Sequence, residues 1–390
     1  MKQEANSSTT IQRSLQTART RFFDGGELPA ALLPPLVAQS WQRSRDSGLR
    51  PWQAPQYDQT LSCLQYTPAD RRLRQCVEQE IEPLWSAFGG TDWTIFCVNP
   101  EGVIVHARHN PSSRDSILQP IAAGRRIHES HVGTTAPGCA MHDSAEVIVT
   151  GNQHYLEAFA CIFCLAMPLF GLDGEVIGAL DITGKGQRNA YVLREHFRLA
   201  VLSAQQRLFA SAMRHCHLLR VQHDPRWLPT PLAGVLAVND DGQVCAASLE
   251  ARRLLALPSI GPLPRVDLRQ LFVHASQAQQ RGLLQLGRPA RRIVQADGSH
   301  LWVQPVRAPL NRTVPRPPLP RSQQPSPPVA DAVSGNLNEQ MLLAVRRTLH
   351  EHDGNISTAS KQLGISRTTF YSKLRQLQQA GLLPTATDGE

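Results

Sequence analysis

The residues best suited to chemistry lie near the C-terminus, in a segment rich in basic and hydroxyl side chains. Residues 354–387 include four basic residues and no acidic one, although Glu339, Glu351 and Asp353 come just before them. Side chains of these types contact the phosphates and base edges of nucleic acids. The candidate DNA-contacting residues are Ser366, Arg367, Thr368, Thr369, Tyr371, Ser372, Lys373 and Arg375.

Three helices are expected to position this surface. Gly354 ends the first helix, Gly364 permits a sharp turn after the second, and Ser366 is an N-cap for the third. Apolar residues at helical spacing form the predicted core, namely Met341, Leu342, Val345, Leu349, Ile356, Ala359, Leu363, Ile365, Phe370, Leu374 and Leu377. A plain three-helix bundle with a solvated basic face is the alternative interpretation.

The segment Gly354–Leu374, GNISTASKQLGISRTTFYSKL, resembles the Fis-type helix-turn-helix. Members of that family bind DNA as dimers, so the resemblance implies a homodimer on two-fold related half-sites about one helical turn, ~34 Å, apart. By position it also implies that DNA is contacted by Ser366, Arg367, Thr369, Tyr371, Ser372 and Lys373.

Other reactive side chains match no catalytic or cofactor pattern. Cys161 and Cys164 lie in a predicted apolar strand, which favours core cysteines over a redox pair or a zinc site. The stretch Gly178–Gly186 has the wrong spacing for a phosphate loop and ends in glycine where Ser or Thr is needed. We therefore expect no enzyme activity and no cofactor, while a redox role for the cysteine pair stays open.

Closely spaced histidines are the remaining metal-ligand candidates. These pairs are His106 with His109 and His128 with His131. Pairs at this spacing are common by chance, so we expect no metal site unless the fold brings the pairs together.

Before the basic segment, short strands alternate with helices. Hairpins are predicted around residues 99–102 and around Asp173-Gly174. A helix over Tyr191–Arg220 carries an apolar stripe at steps of three and four, from Leu193 to Leu208. The stripe packs either on its own sheet or against a second copy in a dimer, and its spacing does not decide between the two.

Two stretches, His128–Ala140 and Phe163–Gly184, resemble the GAF domain of acetoin-regulator-type activators, and Ser40–Leu49 resembles the box that precedes it. Thr135 stands where the family commonly has asparagine, and Pro137 also departs from the pattern. Both departures border the usual ligand cavity, so the effector does not transfer. The candidate effector-binding residues are Trp93, Phe96, His128, Thr134, Thr135, Phe163 and Cys164.

A second unit resembles a PAS domain in its opening strands from Gly234 and its closing hairpin around Asp297-Gly298. Between Pro309 and Asp331, eight of 23 residues are proline, as in an extended tether. The expected fold class is multidomain α+β. Its parts are an N-terminal helical segment (1–78), a GAF sensor (79–221), a PAS-like domain (228–308), a proline-rich linker (309–333) and an all-α Fis-type helix-turn-helix (334–384).

The formal net charge of +8 permits a polyanionic partner without identifying one. Scattered cysteines, a polar N-terminus and apolar runs too short for a membrane span predict a cytoplasmic protein without membrane contact. Regulators with these two end domains often carry a sigma-54 ATPase between them, but residues 228–308 are too few to form one.

We therefore expect an effector-responsive, homodimeric transcription regulator of a bacterial metabolic or catabolic operon, acting without ATP hydrolysis. RNA polymerase is a further candidate partner. The alternative is a metabolite-sensing protein that regulates a protein partner instead of DNA.

Overall fold

The computed structural model describes residues 2–57, 66–90, 92–110, 115–186, 190–295 and 297–310, together with 345, 348–349, 352 and 355–379. The chain divides into two compact units, Met1–Thr313 and Val314–Glu390. Residues 311–333, most of the expected linker, lie outside the described residues.

The first unit begins with three helices and continues into a five-stranded antiparallel sheet of order β2-β1-β5-β4-β3. Its helices are α1 (Lys2–Phe23), α2 (Pro35–Asp46), α3 (Pro68–Phe88), α4 (Glu129–Val132), α5 (Ala136–Asp143) and α6 (Ala190–Ala212). Its strands are β1 (Trp93–Val98), β2 (Ile104–His109), β3 (Val147–Thr150), β4 (Ile162–Phe170) and β5 (Val176–Lys185). Both hairpins expected in this region are present.

This sheet is covered on both faces, which explains why its central strands are apolar throughout. One face packs on α3 and α6, and the other packs on α1, α2, α4 and α5. Side chains alternate between the two faces with the period of two that a strand imposes.

A second sheet follows in the same unit, with order β8-β7-β6-β10-β9. Its strands are β6 (His217–Gln222), β7 (Gly234–Val238), β8 (Val244–Ala247), β9 (Arg291–Val294) and β10 (His300–Arg307). Three short helices cover one face, namely α7 (Leu249–Leu254), α8 (Leu268–Leu271) and α9 (Gln277–Gly282). The other face packs on the C-terminal end of α6, including Phe209.

One boundary differs from the sequence expectation. The helix predicted over Tyr191–Arg220 ends at Ala212, and His217–Gln222 forms β6, the central strand of the second sheet. Leu219 and Leu218 face opposite sides of that sheet, a two-residue alternation that a helical stripe does not produce. The second sheet therefore begins at residue 217, not at 228, and takes residues that had been assigned to the sensor.

The apolar stripe of α6 is covered by its own domain. Leu193, Phe197, Val201 and Leu208 are buried against the first sheet and α3. Ser203 and Arg207 on α6 also donate hydrogen bonds to Glu80 of α3, at 2.8 and 2.7 Å. Of the two alternatives for this stripe, packing on its own sheet is therefore the one that the structure shows.

The C-terminal unit contains α10 (Ile356–Gln362) and α11 (Arg367–Gln379), preceded by helical residues at 345 and 348–349. Val345, Ala359 and Phe370 form its buried core. Leu349, Ile356, Leu363, Ile365 and Leu374 pack against that core. Met341 and Leu342, also predicted to be inward, lie outside the described residues, as does the side chain of Leu377.

Candidate DNA-binding surface and effector cavity

Local hydrogen bonds set the geometry of the C-terminal helix pair. Asn355 caps α10, since its Oδ1 accepts the backbone N–H groups of Ser357 and Thr358 at 3.1 and 3.3 Å. Gly364 then adopts φ +66°, a backbone conformation that favours glycine. The Oγ of Ser366 accepts the N–H of Thr369 at 3.1 Å and so caps α11. The turn and both caps thus fix the start of α11.

The outer surface of α11 carries the candidate DNA contacts. The side chains of Ser366, Arg367, Thr368, Thr369, Tyr371, Ser372 and Arg375 are exposed, and Lys373 is half-buried. Phe370 is buried and holds the helix to its neighbours. The Arg367 guanidinium contacts the Ser357 hydroxyl on α10, and Lys373 donates to Gln376 at 3.2 Å. The surface is thus basic, hydroxyl-rich and accessible within the described unit.

The first sheet holds a small cavity on the face covered by α4 and α5. Its volume is about 30 Å³, close to the volume that one water molecule occupies in the liquid. The lining residues are Tyr57, Phe96, Ile121, Ile127, Val132, Thr135, Pro137, His154, Phe159, Ile162, Cys164 and Thr183. Of the candidate effector residues, Phe96, Thr135 and Cys164 are in this wall.

Trp93 and Phe163 are not in the wall, contrary to expectation. They lie on the other face of the sheet, in the core with α3 and α6, with ring centroids 5.3 Å apart. Trp93 is three residues from Phe96, and Phe163 is next to Cys164. Odd separations along a strand place side chains on opposite faces of the sheet. Trp93 and Phe163 therefore cannot line the cavity that Phe96 and Cys164 line.

His128 and Thr134 also lie outside the cavity wall, where each forms a hydrogen bond that holds the wall in place. His128 is exposed and caps α4, with its Nδ1 accepting the N–H of Ser130. Thr134 is buried, and its Oγ1 lies 2.9 Å from the Oγ of Ser40. Both residues therefore position the α4–α5 wall without lining the cavity.

A chain of buried polar side chains runs along the floor of the cavity. The Thr183 hydroxyl lies 2.6 Å from Asp181 Oδ1 and 3.1 Å from Cys164 Sγ, and His154 Nε2 lies 3.4 Å from the same sulfur. Burial raises the pKa of Asp181 to about 8, lowers that of His154 to about 4, and raises that of Cys164 well above its ordinary value. All three groups are therefore neutral near pH 7.

His154 and Thr183 were missing from the sequence-based candidates. Thr183 could have been found, because it lies two residues from Asp181 on a strand and so shares its face. No spacing pattern marks His154, which follows a 3₁₀ turn at Gly151–Gln153. Only the packing of that turn brings its ring into the cavity.

Helix α2 holds the cavity wall from outside. Arg43 forms a two-pronged ion pair with Glu129 of α4, at 2.6 and 2.9 Å, and Ser40 donates to the same carboxylate at 2.6 Å. The indole N–H of Trp41 donates to the carbonyl of Gln153 at 2.7 Å. The Ser-Trp-x-Arg box therefore connects α2 to both α4 and the turn before His154.

Helix α1 reaches the same turn. Gln12 accepts the N–H of Asn152 at 2.6 Å, and the buried Arg19 donates to the carbonyl of His154 at 3.0 Å. Leu15 and Phe22, also on α1, are buried in the core. Two N-terminal helices thus hold the backbone that carries His154.

The two sheet domains of the first unit are joined by a buried arginine. Arg252 on α7 donates to the carbonyl of Leu172 in the β4–β5 turn at 2.8 Å and lies 3.8 Å from the Asp173 carboxylate. It also donates to the carbonyls of Pro258 and Gly261 at 2.8 and 2.9 Å. Movement of the β4–β5 turn would therefore displace Arg252 and, with it, α7 of the second sheet domain.

The other reactive groups form no site in the described part of the chain. Cys161 is exposed while Cys164 is buried, and Gly178–Gly186 runs through β5 into a turn. Within the described ranges, no three His, Cys, Asp or Glu side chains are grouped as metal ligands. Nor does any described helix have the length and apolar character to cross a bilayer.

Comparison with known families adds two matches. The model of the bacterial regulatory protein, Fis family, matches residues 344–377, and the GAF domain model matches residues 72–216. The chain combines a GAF domain with a Fis-family helix-turn-helix. With 390 residues, it is too short to hold a complete AAA+ domain as well.

Two curated relatives of this GAF–Fis chain are transcriptional activators. The acetoin dehydrogenase operon activator AcoR of Bacillus subtilis is 26% identical over 45% of this chain and 29% of its own length. The propane 2-monooxygenase operon activator MimR of Mycolicibacterium goodii is 23% identical over 47% and 30%. The chain thus spans less than a third of the length of either relative. A chain of the E. coli DhaR(N)–DhaL complex matches over 69% of this chain and 98% of its own, at 16% identity and TM-score 0.41.

Proposed function

We propose that this protein is an effector-responsive, DNA-binding transcription regulator. The accessible basic face of α11, presented by the Gly364 turn and the Ser366 cap, is the observation that supports it most directly. It has the residue types that contact phosphates and bases, and the Fis-family match covers it. The DNA target is an operator with two-fold related half-sites, bound by a homodimer in the cytoplasm.

Regulation proceeds without ATP hydrolysis and without enzyme activity. The GAF match ends at residue 216 and the Fis match starts at 344, and the second sheet fills residues 217–307 between them. A remodelling ATPase has no place in that interval. Transcription is then changed through operator occupancy, DNA bending or contact with RNA polymerase.

The effector is a small uncharged molecule bound in the GAF cavity. The cavity is about 30 Å³, so it must expand to admit even a few non-hydrogen atoms. Its polar groups, Thr183, His154 and Cys164, are neutral, and an ionised ligand would lose its hydration without gaining a partner charge. The relatives regulate operons for acetoin and propane oxidation, whose substrates are small and uncharged.

Genome-wide immunoprecipitation of the full chain tests the DNA-binding part of the proposal. We expect a two-fold related sequence motif, and operator binding that weakens as salt rises. Binding without sequence preference or salt dependence would instead support the alternative, a sensor that docks on a protein partner.

Titration tests the sensor part separately. A panel of small uncharged molecules, with acetoin as one member, is expected to include a compound that changes the intrinsic tryptophan fluorescence and the operator affinity of the wild-type chain. Butyrate, a charged control with the same number of non-hydrogen atoms as acetoin, is expected to have no effect. A His154→Phe variant, which fills the cavity, should abolish both responses and leave effector-independent operator binding intact.

A further inference from the structure

A second and larger cavity lies where the two sheet domains of the first unit meet. Its volume is about 310 Å³, and its walls come from α3, α6, the β4–β5 turn and the start of α7. Small-molecule sites typically begin at about this size and occur preferentially at domain interfaces. The volume equals that of about ten water molecules, which suits a ligand of about ten non-hydrogen atoms.

Most of the wall is apolar, and both domains contribute to it. Six of the larger apolar side chains are Leu73, Phe170, Ile177, Leu208, Phe209 and Leu249. Leu249 belongs to the second sheet domain and the other five belong to the first. A bound apolar group would therefore contact both domains at once.

The polar lining residues carry an excess of negative charge. Glu175 in the β4–β5 turn and Glu250 on α7 both line the cavity, and neither forms an ion pair within the described residues. Glu175 is exposed, and one of its carboxylate oxygens accepts the N–H of Asp173 at 2.9 Å. Asp70 is a third lining carboxylate, but it already accepts hydrogen bonds from Asn99 and Thr67. The exposed Arg72 is the single cationic side chain among the described lining residues.

The lining glutamines are partly engaged with the backbone. Gln205 accepts the N–H of Phe170 at 2.8 Å, and Gln206 donates to the carbonyl of Ala233 at 2.8 Å. These bonds fix the two amides at the wall. The carboxylate oxygens left to attract a charged ligand are therefore those of Glu250 and the Glu175 oxygen that does not accept the Asp173 N–H.

We propose that this cavity is a second ligand site, which takes an amphipathic amine. The apolar body of the amine packs on the α3–α6 side, and its ammonium group is attracted by Glu175 and Glu250. Since one carboxylate comes from each domain, the bound amine stabilises the present arrangement of the junction, beside the Arg252 contact. This site is separate from the GAF effector cavity and does not depend on it.

Ligand binding to the full chain tests the proposal, with 2-phenylethylamine as the probe and 2-phenylethanol and phenylacetate as neutral and anionic controls. Titration calorimetry is expected to give a Kd below about 1 mM for the amine. The alcohol should bind at least about tenfold more weakly, and the anion should bind most weakly of all. Absence of amine binding, or tightest binding by phenylacetate, would overturn the assignment.

Three cavity variants and one control variant locate the binding. Glu250→Gln and Glu175→Gln should each weaken amine binding about fivefold or more and leave binding of the alcohol unchanged, whereas Glu101→Gln, at an exposed site outside the cavity, should change neither. Ala212→Trp, which adds bulk to the wall, should remove binding of both compounds. Melting temperatures of the glutamine variants verify folding, and amine affinity unchanged in all three cavity variants would contradict the proposal.

Discussion

At the scale of single residues, the candidate functions depend on a few side chains whose surroundings differ sharply. Arg367 is exposed at the start of a capped helix, and its guanidinium contacts the Ser357 hydroxyl. Asp181 is buried in the sensor, where its second carboxylate oxygen has no hydrogen-bond partner. We propose that the first residue contributes to DNA recognition, and we expect the second to make the stability of the fold depend on pH.

Arg367→Ala is expected to weaken binding to a specific operator by ~1 to 3 kcal/mol, because a base contact of arginine is lost. Fluorescence anisotropy with operator and scrambled DNA measures the change. Arg281→Ala, an exposed arginine on α9, should have no such effect. Unchanged operator affinity of Arg367→Ala would remove the role that we assign to this residue.

Asp181→Asn is expected to stabilise the protein increasingly as pH rises from 5 to 8. The folded pKa is about 8 and the unfolded value is about 4, so in this range the folded chain holds a proton that the unfolded chain has released. Asp181 therefore makes the wild-type free energy of unfolding fall as pH rises. Asparagine, which does not ionise, removes this pH dependence. Urea unfolding should give a gain about 1 to 3 kcal/mol larger at pH 8 than at pH 5.

The comparison must be made between variant and wild type at each pH. His154 acts in the opposite direction, because its folded pKa of about 4 lies below its unfolded value of about 6.5. Its contribution to the free energy of unfolding is present above pH 6.5 and is lost as pH falls to 4. This contribution is common to both chains and cancels. A gain that does not grow with pH would show that Asp181 is ionised in the folded protein.

At the scale of elements, the N-terminal helices are part of the sensor. Helix α2 binds α4 through Arg43 and Glu129, and both α1 and α2 hold the turn that carries His154. Expansion of the cavity by an effector must displace some of these contacts, because the surrounding core is closely packed. The N-terminal helices are therefore expected to move when the sensor is occupied.

A double-mutant cycle on Arg43→Ala and Glu129→Ala is expected to give a coupling energy of about 1 kcal/mol or more. The pair is two-pronged and mostly shielded from solvent, with side chains 28% and 17% exposed. Chemical unfolding of the four chains provides the measurement. The same cycle on Arg226 and Asp224, where the arginine is 84% exposed, should give a coupling near zero. Equal coupling in the two cycles would contradict docking through Arg43.

At the scale of the whole molecule, the first unit couples two sheets through one turn and one helix. The β4–β5 turn is anchored by Arg252, and α6 packs on both sheets. Strain in the GAF domain can thus reach the second sheet along packed elements.

Arg252→Ala is expected to destabilise the junction by about 3 kcal/mol or more, since several carbonyl groups lose a buried charged donor together. Calorimetry should separate one melting transition of the first unit into two, one for each sheet domain. The neighbouring exposed Arg253→Ala is the matched control and should leave the transition unchanged. A single transition in Arg252→Ala, at the wild-type temperature, would contradict this coupling role.

The sequence by itself determined the features that depend on local patterns. Caps, glycine turns and apolar spacing are properties of adjacent residues, so the hairpins of both sheets and the α10–α11 pair were predicted correctly. The Fis and GAF matches likewise follow from short motifs. Of the residues marked as candidate effector contacts, Phe96, Thr135 and Cys164 line the cavity, and their contact with an effector stays a prediction.

Tertiary structure decided what depends on distant contacts. It placed Trp93 and Phe163 on the opposite face, brought His154 beside Cys164, and gave residues 217–222 to the second sheet. Strand partners and cavity walls come from residues far apart in the chain, and burial then sets the pKa of Asp181. No local spacing encodes such contacts, because they arise only when separate elements pack together.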